Sequence, residues 1–96
     1  MTISLIICTR NRAGPLGRCL AAVAGIVHDG DWELVIVDNG STDATAAVVA
    51  DFAAQAGFRV VQVHQPVPGL SNARNAGVAA ATGELILFTD DDCYVE

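Results

Sequence analysis

Four short apolar runs interrupt an otherwise mixed chain: Ile3 to Cys8, Leu34 to Val37, Phe58 to Val63 and Leu85 to Phe88. They are rich in β-branched residues and apolar at both alternating positions, which predicts strands covered on each face. Helical patterns lie between them. The first opens at Gly14-Pro15, where Pro suits the first helical position, and carries Leu16, Leu20, Val23 and Val27 at helical spacing. The second begins with Ser41-Thr42-Asp43, which have capping chemistry, and sets Val48 and Phe52 four apart. The third spans Ser71 to Ala81 and stops at Gly83, read as a C-terminal cap. Its small face of Ala73, Ala76, Gly77 and Ala80 predicts close contact with the sheet. Strands alternating with helices predict a parallel α/β sheet with right-handed crossovers. No repeat, linker or low-complexity tract divides the chain, so residues 1–96 read as one unit.

Composition narrows the partners. The chain of 96 residues is 52% apolar, which argues against disorder, and only 5% aromatic, so Val, Ile, Leu and Ala must build the core. A formal net charge of −6 would repel a polyanion, which disfavours nucleic acid polymers as partners. All positive charge comes from Arg10, Arg12, Arg18, Arg59 and Arg74, because there is no Lys. Guanidinium groups suit bidentate contact with phosphate. Cys8, Cys19 and Cys93 show neither C-x-x-C nor zinc-like spacing and read as free thiols, with Cys8 a small core residue. No signal-like N-terminus and no run approaching the ~20 apolar residues of a membrane span are present, so a cytoplasmic setting is expected.

Each apolar run leads into a polar cluster. These are Thr9-Arg10-Asn11-Arg12, Asp38-Asn39-Gly40-Ser41, His64-Gln65 and Thr89-Asp90-Asp91-Asp92. In a parallel sheet these carboxyl ends share one edge, the edge at which open α/β sheets bind ligands. Strand-to-helix loops are polar in any case, so the residue types carry the argument. Asp90-Asp91-Asp92 sets three carboxylates in a row, an arrangement eased by a hard cation such as Mg²⁺ or Mn²⁺ and equally open to a solvated acidic turn. In an extended stretch Asp90 and Asp92 share a side while Asp91 points away. Asp38 or Asn39 could accept from a pyrimidine imide or a ribose hydroxyl, and Gly40 permits the turn into the helix. Arg10, Arg12 or Arg74 could reach a diphosphate. The dinucleotide fingerprint G-x-G-x-x-G is absent, so a nicotinamide or flavin domain is disfavoured.

Four blocks carry a family resemblance: Ser4 to Arg12, Val37 to Asp43, Gly69 to Gly77 and Gly83 to Asp92. In this order and spacing they resemble the family 2 inverting glycosyltransferases over almost the whole chain. The resemblance implies a GT-A fold whose Rossmann-like nucleotide half, with strand order 3-2-1-4, precedes an acceptor half. It implies that Thr9, Arg10, Asn11, Asp38, Asn39, Arg74 and Asp90 serve the nucleotide, and that Asp90, Asp91 and Asp92 serve the metal of the family's D-x-D motif. The donor implied is a nucleoside diphosphate sugar, with UDP or dTDP favoured and Mn²⁺ or Mg²⁺ as cofactor. Many members carry Asp where this chain has Asn39, which leaves the base open.

The sequence stops at Glu96, just past that motif, whereas the family's acceptor site and catalytic base lie later. The expectation is therefore a donor half-domain over 1–96 without an assignable catalytic residue, in the cytoplasm or at the inner face of the membrane. The alternative is a folded, non-catalytic fragment acting in binding or self-association. With the fourth strand on an edge, Leu85–Phe88 is expected to support a homodimer.

Overall fold

The computed structural model describes residues 2–11, 13–26, 32–67 and 69–89. Arg12, Val27, Asp90, Asp91, Asp92 and Cys93, each given a role above, lie outside them. The elements run β1 (Ile3–Thr9), α1 (Ala13–Ile26), β2 (Trp32–Asp38), α2 (Thr45–Gln55), β3 (Arg59–His64), α3 (Leu70–Ala80) and β4 (Leu85–Thr89). All strand pairs are parallel, in the order β3-β2-β1-β4. That is the expected topology.

Strand alternation divides the core in two. Ile7, Leu34 and Ile36 pack with Leu16, Cys19, Leu20 and Val23 of α1 and Val49 of α2. On the opposite face Ile6, Val35 and Val37 meet Ala73 of α3. Removal of such large aliphatic side chains from water contributes roughly 1.5–3 kcal/mol each, enough to fix which face every strand residue takes. A one-residue slip would exchange the two sets.

The small face of α3 serves the purpose its composition predicts. A Cβ built at Gly77 would stand 2.7 Å from Ile6 Cγ2 and 3.2 Å from Val37 Cγ2, so only glycine lets the helix lie this close. Gly83 differs from expectation. Helix α3 ends at Ala81 with extended backbone, and Gly83 instead abuts β1, where a Cβ would fall 2.7 Å from the Ser4 backbone nitrogen. The start of α2 differs too. The helix opens at Thr45 with Ala44 at the N-cap and no side-chain cap; Asp43, just before it, accepts with Oδ1 from the Thr45 N–H at 2.9 Å and from the Thr45 hydroxyl, while Ser41 and Thr42 are held by Asn11.

All four strands extend past their apolar runs, each by at least one residue at the carboxyl end. β2 begins at Trp32 and includes Glu33, which is buried at 2% exposure. Its carboxylate accepts from the Ser4 hydroxyl (2.6 Å), the Thr82 N–H (2.6 Å) and hydroxyl (3.0 Å), and Arg59 Nε (3.1 Å). Ser4 Oγ in turn accepts from the Gly83 N–H at 2.8 Å. This knot ties the amino-terminal edge of β1 and β2 to the α3–β4 connection. Cys8 forms no disulfide, and Cys93 lies outside the described residues. Among the described residues no helix is long and apolar enough to cross a membrane.

Candidate functional site

Parallel pairing brings the polar strand ends together as expected. Thr9 lies opposite Asp38, Asp38 opposite His64, and Thr89 opposite Ile7, so all four strands finish along one edge. Two adjoining clefts open there on the α3 side, sharing Cys8 and Leu70. One, of about 320 Å³, is lined by Thr9, Arg10, Asn39, Gly69 and Ala73 in addition. The other, of about 300 Å³, adds Arg74, Phe88 and Thr89.

Arg74 lies one turn into α3, and its guanidinium stacks 5.6 Å from the centre of the Phe88 ring. That contact holds a cation over the cleft beside Thr89, the residue directly before Asp90. Cys8, read as core, is only half-buried and borders both clefts. Leu70 and Phe88, which the sequence did not mark as site residues, are 58% and 47% exposed there. An apolar side chain at the carboxyl end of a strand or the first turn of a helix, where polar residues prevail, was the available signal.

The loops behind the clefts are bound to one another through asparagines. Asn11 has a φ of 51°, and its carboxamide oxygen accepts from the N–H of Thr42 at 2.7 Å and of Asp43 at 3.3 Å. Its own N–H donates to Ser41 Oγ at 3.0 Å. Asp43 reaches the α1 side as well, accepting from the Ala13 N–H at 3.5 Å. The Thr45 hydroxyl, then the Thr45 N–H, hold the Asp43 carboxyl below its ordinary range. Asn39 is buried, and its Nδ2 donates to the carbonyls of Gln65 (3.0 Å) and Val67 (2.8 Å) while its Oδ1 accepts from the Gly69 N–H at 3.0 Å.

The expected nucleotide residues therefore divide. Thr9, Arg10 and Asn39 line one cleft and Arg74 its neighbour. Asp38 accepts from the Ser41 N–H at 3.1 Å and borders a separate hollow of about 150 Å³ beside α2, with Val49 and His64. Asn11 is exposed, with its carboxamide turned onto the β2–α2 loop. Asp90, Asp91 and Asp92 follow β4 outside the described residues, and among those described no cluster of His, Cys, Asp or Glu could hold a metal.

Comparison with known proteins places this geometry. The family described as Glycosyl transferase family 2 matches residues 4–96. An uncharacterised glycosyltransferase of Nostoc sp. is 42% identical over 92 residues, a match covering 96% of this chain and 28% of that relative. Among solved structures, a mannosyltransferase from Pyrobaculum calidifontis in complex with GDP-Man and Mn²⁺ superposes with a TM-score of 0.87 at 29% identity, covering 94% of this chain and 27% of that one. S. aureus TarS 1-349 in complex with UDP superposes with a TM-score of 0.80 at 30% identity, covering 96% and 28%. The chain thus spans under a third of the length of each.

Proposed function

We propose a function from one premise: this chain belongs to glycosyl transferase family 2. Its sheet and helices are those of the N-terminal, Rossmann-like part of a GT-A fold. In this reading residues 1–96 are a donor half-domain that binds a nucleoside diphosphate sugar, of UDP or dTDP type, at the carboxyl edge of the sheet. The observation that carries it is the pair of clefts between β1, β4 and α3, with Arg74 over Phe88 next to the start of the acidic triplet.

The roles follow from chemistry. Thr9 and Arg10 bound the space for the nucleoside, and Arg74 offers a guanidinium to the diphosphate, a charge-assisted pairing about twice as strong as a neutral one. Asp90, Asp91 and Asp92 provide the hard carboxylate oxygens that suit Mn²⁺ or Mg²⁺. A cation held there supplies charge stabilisation for the departing diphosphate. Transfer forms a bond from an acceptor hydroxyl oxygen to the anomeric carbon as the bond to the diphosphate breaks, with inversion. The hydroxyl proton passes to a base outside the residues assigned here. The setting is the cytoplasm or the inner face of the membrane.

Self-association is a second part of the reading, supported by β4. Among the described residues it is an edge strand, on which Leu85 is 41% and Leu87 38% exposed, an apolar ladder of the kind that joins a second copy.

A thermal-shift panel of UDP, dTDP, GDP and ADP, each with Mn²⁺ and with a chelator, tests the donor site. A ligand at 100 times its dissociation constant stabilises a fold by about 2.7 kcal/mol. A chelator-sensitive shift with one diphosphate, lost in Asp92→Ala, is expected. A folded chain that responds to none of them is the non-catalytic fragment instead.

A further inference from the structure

We propose that Asn39 is a positioning residue, a latch that sets the wall of the donor cleft, and that its carboxamide is not available to read the base. Both Nδ2 protons are committed to backbone carbonyls, Gln65 at 3.0 Å and Val67 at 2.8 Å, and Oδ1 takes the Gly69 N–H at 3.0 Å. The side chain is 6% exposed, so these bonds are made where water competes poorly. Its backbone is fixed as well, by the Asn39 N–H donating to the Thr9 carbonyl at 2.8 Å.

The three bonds determine where α3 begins. Gly69, with a φ of 131°, immediately precedes the helix, and its carbonyl accepts the Ala73 N–H at 3.1 Å, one residue before Arg74. The β3–α3 connection has further supports. Gln65 Oε1 accepts from the Val67 N–H at 3.1 Å, the Gln65 N–H donates to the Asp38 carbonyl at 2.9 Å, and a Cβ at Gly40 would stand 3.1 Å from the Pro66 carbonyl oxygen. Gly69, Leu70 and Ala73, the residues so placed, line the same cleft as Thr9 and Arg10. Asn39 acts on a ligand by way of this wall.

Amide chemistry, not size, is what the latch requires. Asp has nearly the same shape, yet as a carboxylate it offers acceptors to the two carbonyl oxygens and donates nothing, so both contacts turn repulsive. Base recognition then falls to other groups bordering the cleft.

Amide hydrogen exchange on the intact chain, followed by NMR, tests the latch in Asn39→Asp and Asn39→Ala. Both variants are expected to exchange the amides of Gly69 and Ala73 at least tenfold faster, while Ile6 and Val35 in the central strands keep their protection and report an intact fold. Unchanged exchange at Gly69 in Asn39→Asp overturns the latch. The link to the cleft rests on the donor-site reading and is read with UDP and Mn²⁺ as the probe. Binding is expected to weaken at least tenfold in Asn39→Asp, with the wild-type Gly69 amide still protected in the complex. Loss of that protection on UDP binding shows the carboxamide turning to the base and overturns the positioning role. A wild-type chain that binds no nucleotide but shows the exchange difference sinks the donor-site reading and supports the latch.

Discussion

The carboxamide oxygen of Asn11 accepts the backbone N–H of Thr42 at 2.7 Å, binding the loop after β1 to the loop after β2 across a separation of 31 residues. The two loops lie on adjacent strand ends, so this contact and the Ser41 hydroxyl receiving the Asn11 N–H form a closed clasp. Asn tolerates the left-handed backbone that the clasp demands at φ 51°.

Asn11→Ala is expected to destabilise the fold by about 1–2 kcal/mol, since it removes acceptor contacts to two N–H groups and places a Cβ residue without compensation at positive φ. Asn11→Gly restores backbone freedom but not the clasp and should recover only part of the loss. Urea unfolding of the two variants checks this, and equal stability of both with wild type would contradict the clasp.

Glu33 makes stability depend on pH at the opposite edge of the sheet. Burial, the largest single influence, pushes its pKa up, but hydrogen bonds from Ser4, Thr82 and Arg59 together outweigh it and bring the value down to about 2 from 4.5. A carboxyl with a depressed folded-state pKa stabilises fully above its unfolded value. The contribution, about 3 kcal/mol, should therefore be present above pH ~4.5 and lost as pH falls through about 2. Glu33→Gln should be less stable at pH 7 and flatter between pH 5 and 2, as followed by thermal unfolding.

Gly77→Ala tests the approach of α3. The helical preference for Ala is worth about 1 kcal/mol, but the new methyl meets Ile6 Cγ2 at 2.7 Å and Val37 Cγ2 at 3.2 Å. Overpacking of a tight core costs about 1–3 kcal/mol, so the net change is expected to be destabilising by roughly 1 kcal/mol. A rise in melting temperature would show that the helix can step away without loss.

Much of this arrangement is legible in the sequence because hydrophobic alternation and small-residue spacing are local signals. The runs around Ile6, Val35 and Val61 place the strands, and Ala73 with Gly77 announces a helix that lies close to the sheet. Side-chain commitments between distant residues are not local. Asn11 and Asn39 have the same chemistry whether they face a ligand or a neighbouring loop, and only the positions of Thr42 and Gly69 in space show which. Glu33 looks like a polar boundary before Leu34, because its partners Ser4 and Thr82 lie 29 and 49 residues away.

Arg74 provides the test of the donor cleft by substitution. Loss of a charged hydrogen-bond donor to phosphate costs about 1.5–3 kcal/mol, so Arg74→Ala should weaken UDP binding in the presence of Mn²⁺ by roughly 10- to 150-fold in calorimetry. Arg74→Lys keeps the charge but loses the planar fork and the stacking on Phe88, and should recover only part of the affinity. Uridine, lacking the diphosphate, should be indifferent to both changes. An equal loss for uridine and UDP would assign Arg74 to the nucleoside instead.

The edge strand yields the last prediction. Pairing through β4 would leave the β1 side of that strand as it is, because its inner ladder already matches Ile3 to Leu85 and Ile7 to Thr89. The outer ladder and the exposed Leu85 and Leu87 are what a second copy would cover. Leu87→Lys puts a charge at the centre of that surface, a device that edge strands use to discourage pairing. Its side chain is 38% exposed, so the ammonium can reach water and the monomer fold should survive. Gel filtration with light scattering should find a larger species in wild type that becomes monomeric in Leu87→Lys, with unchanged circular dichroism. The same oligomer in both proteins would move the interface away from β4. A wild-type chain that is already monomeric at every concentration tried would mean that the exposed ladder alone does not drive self-association.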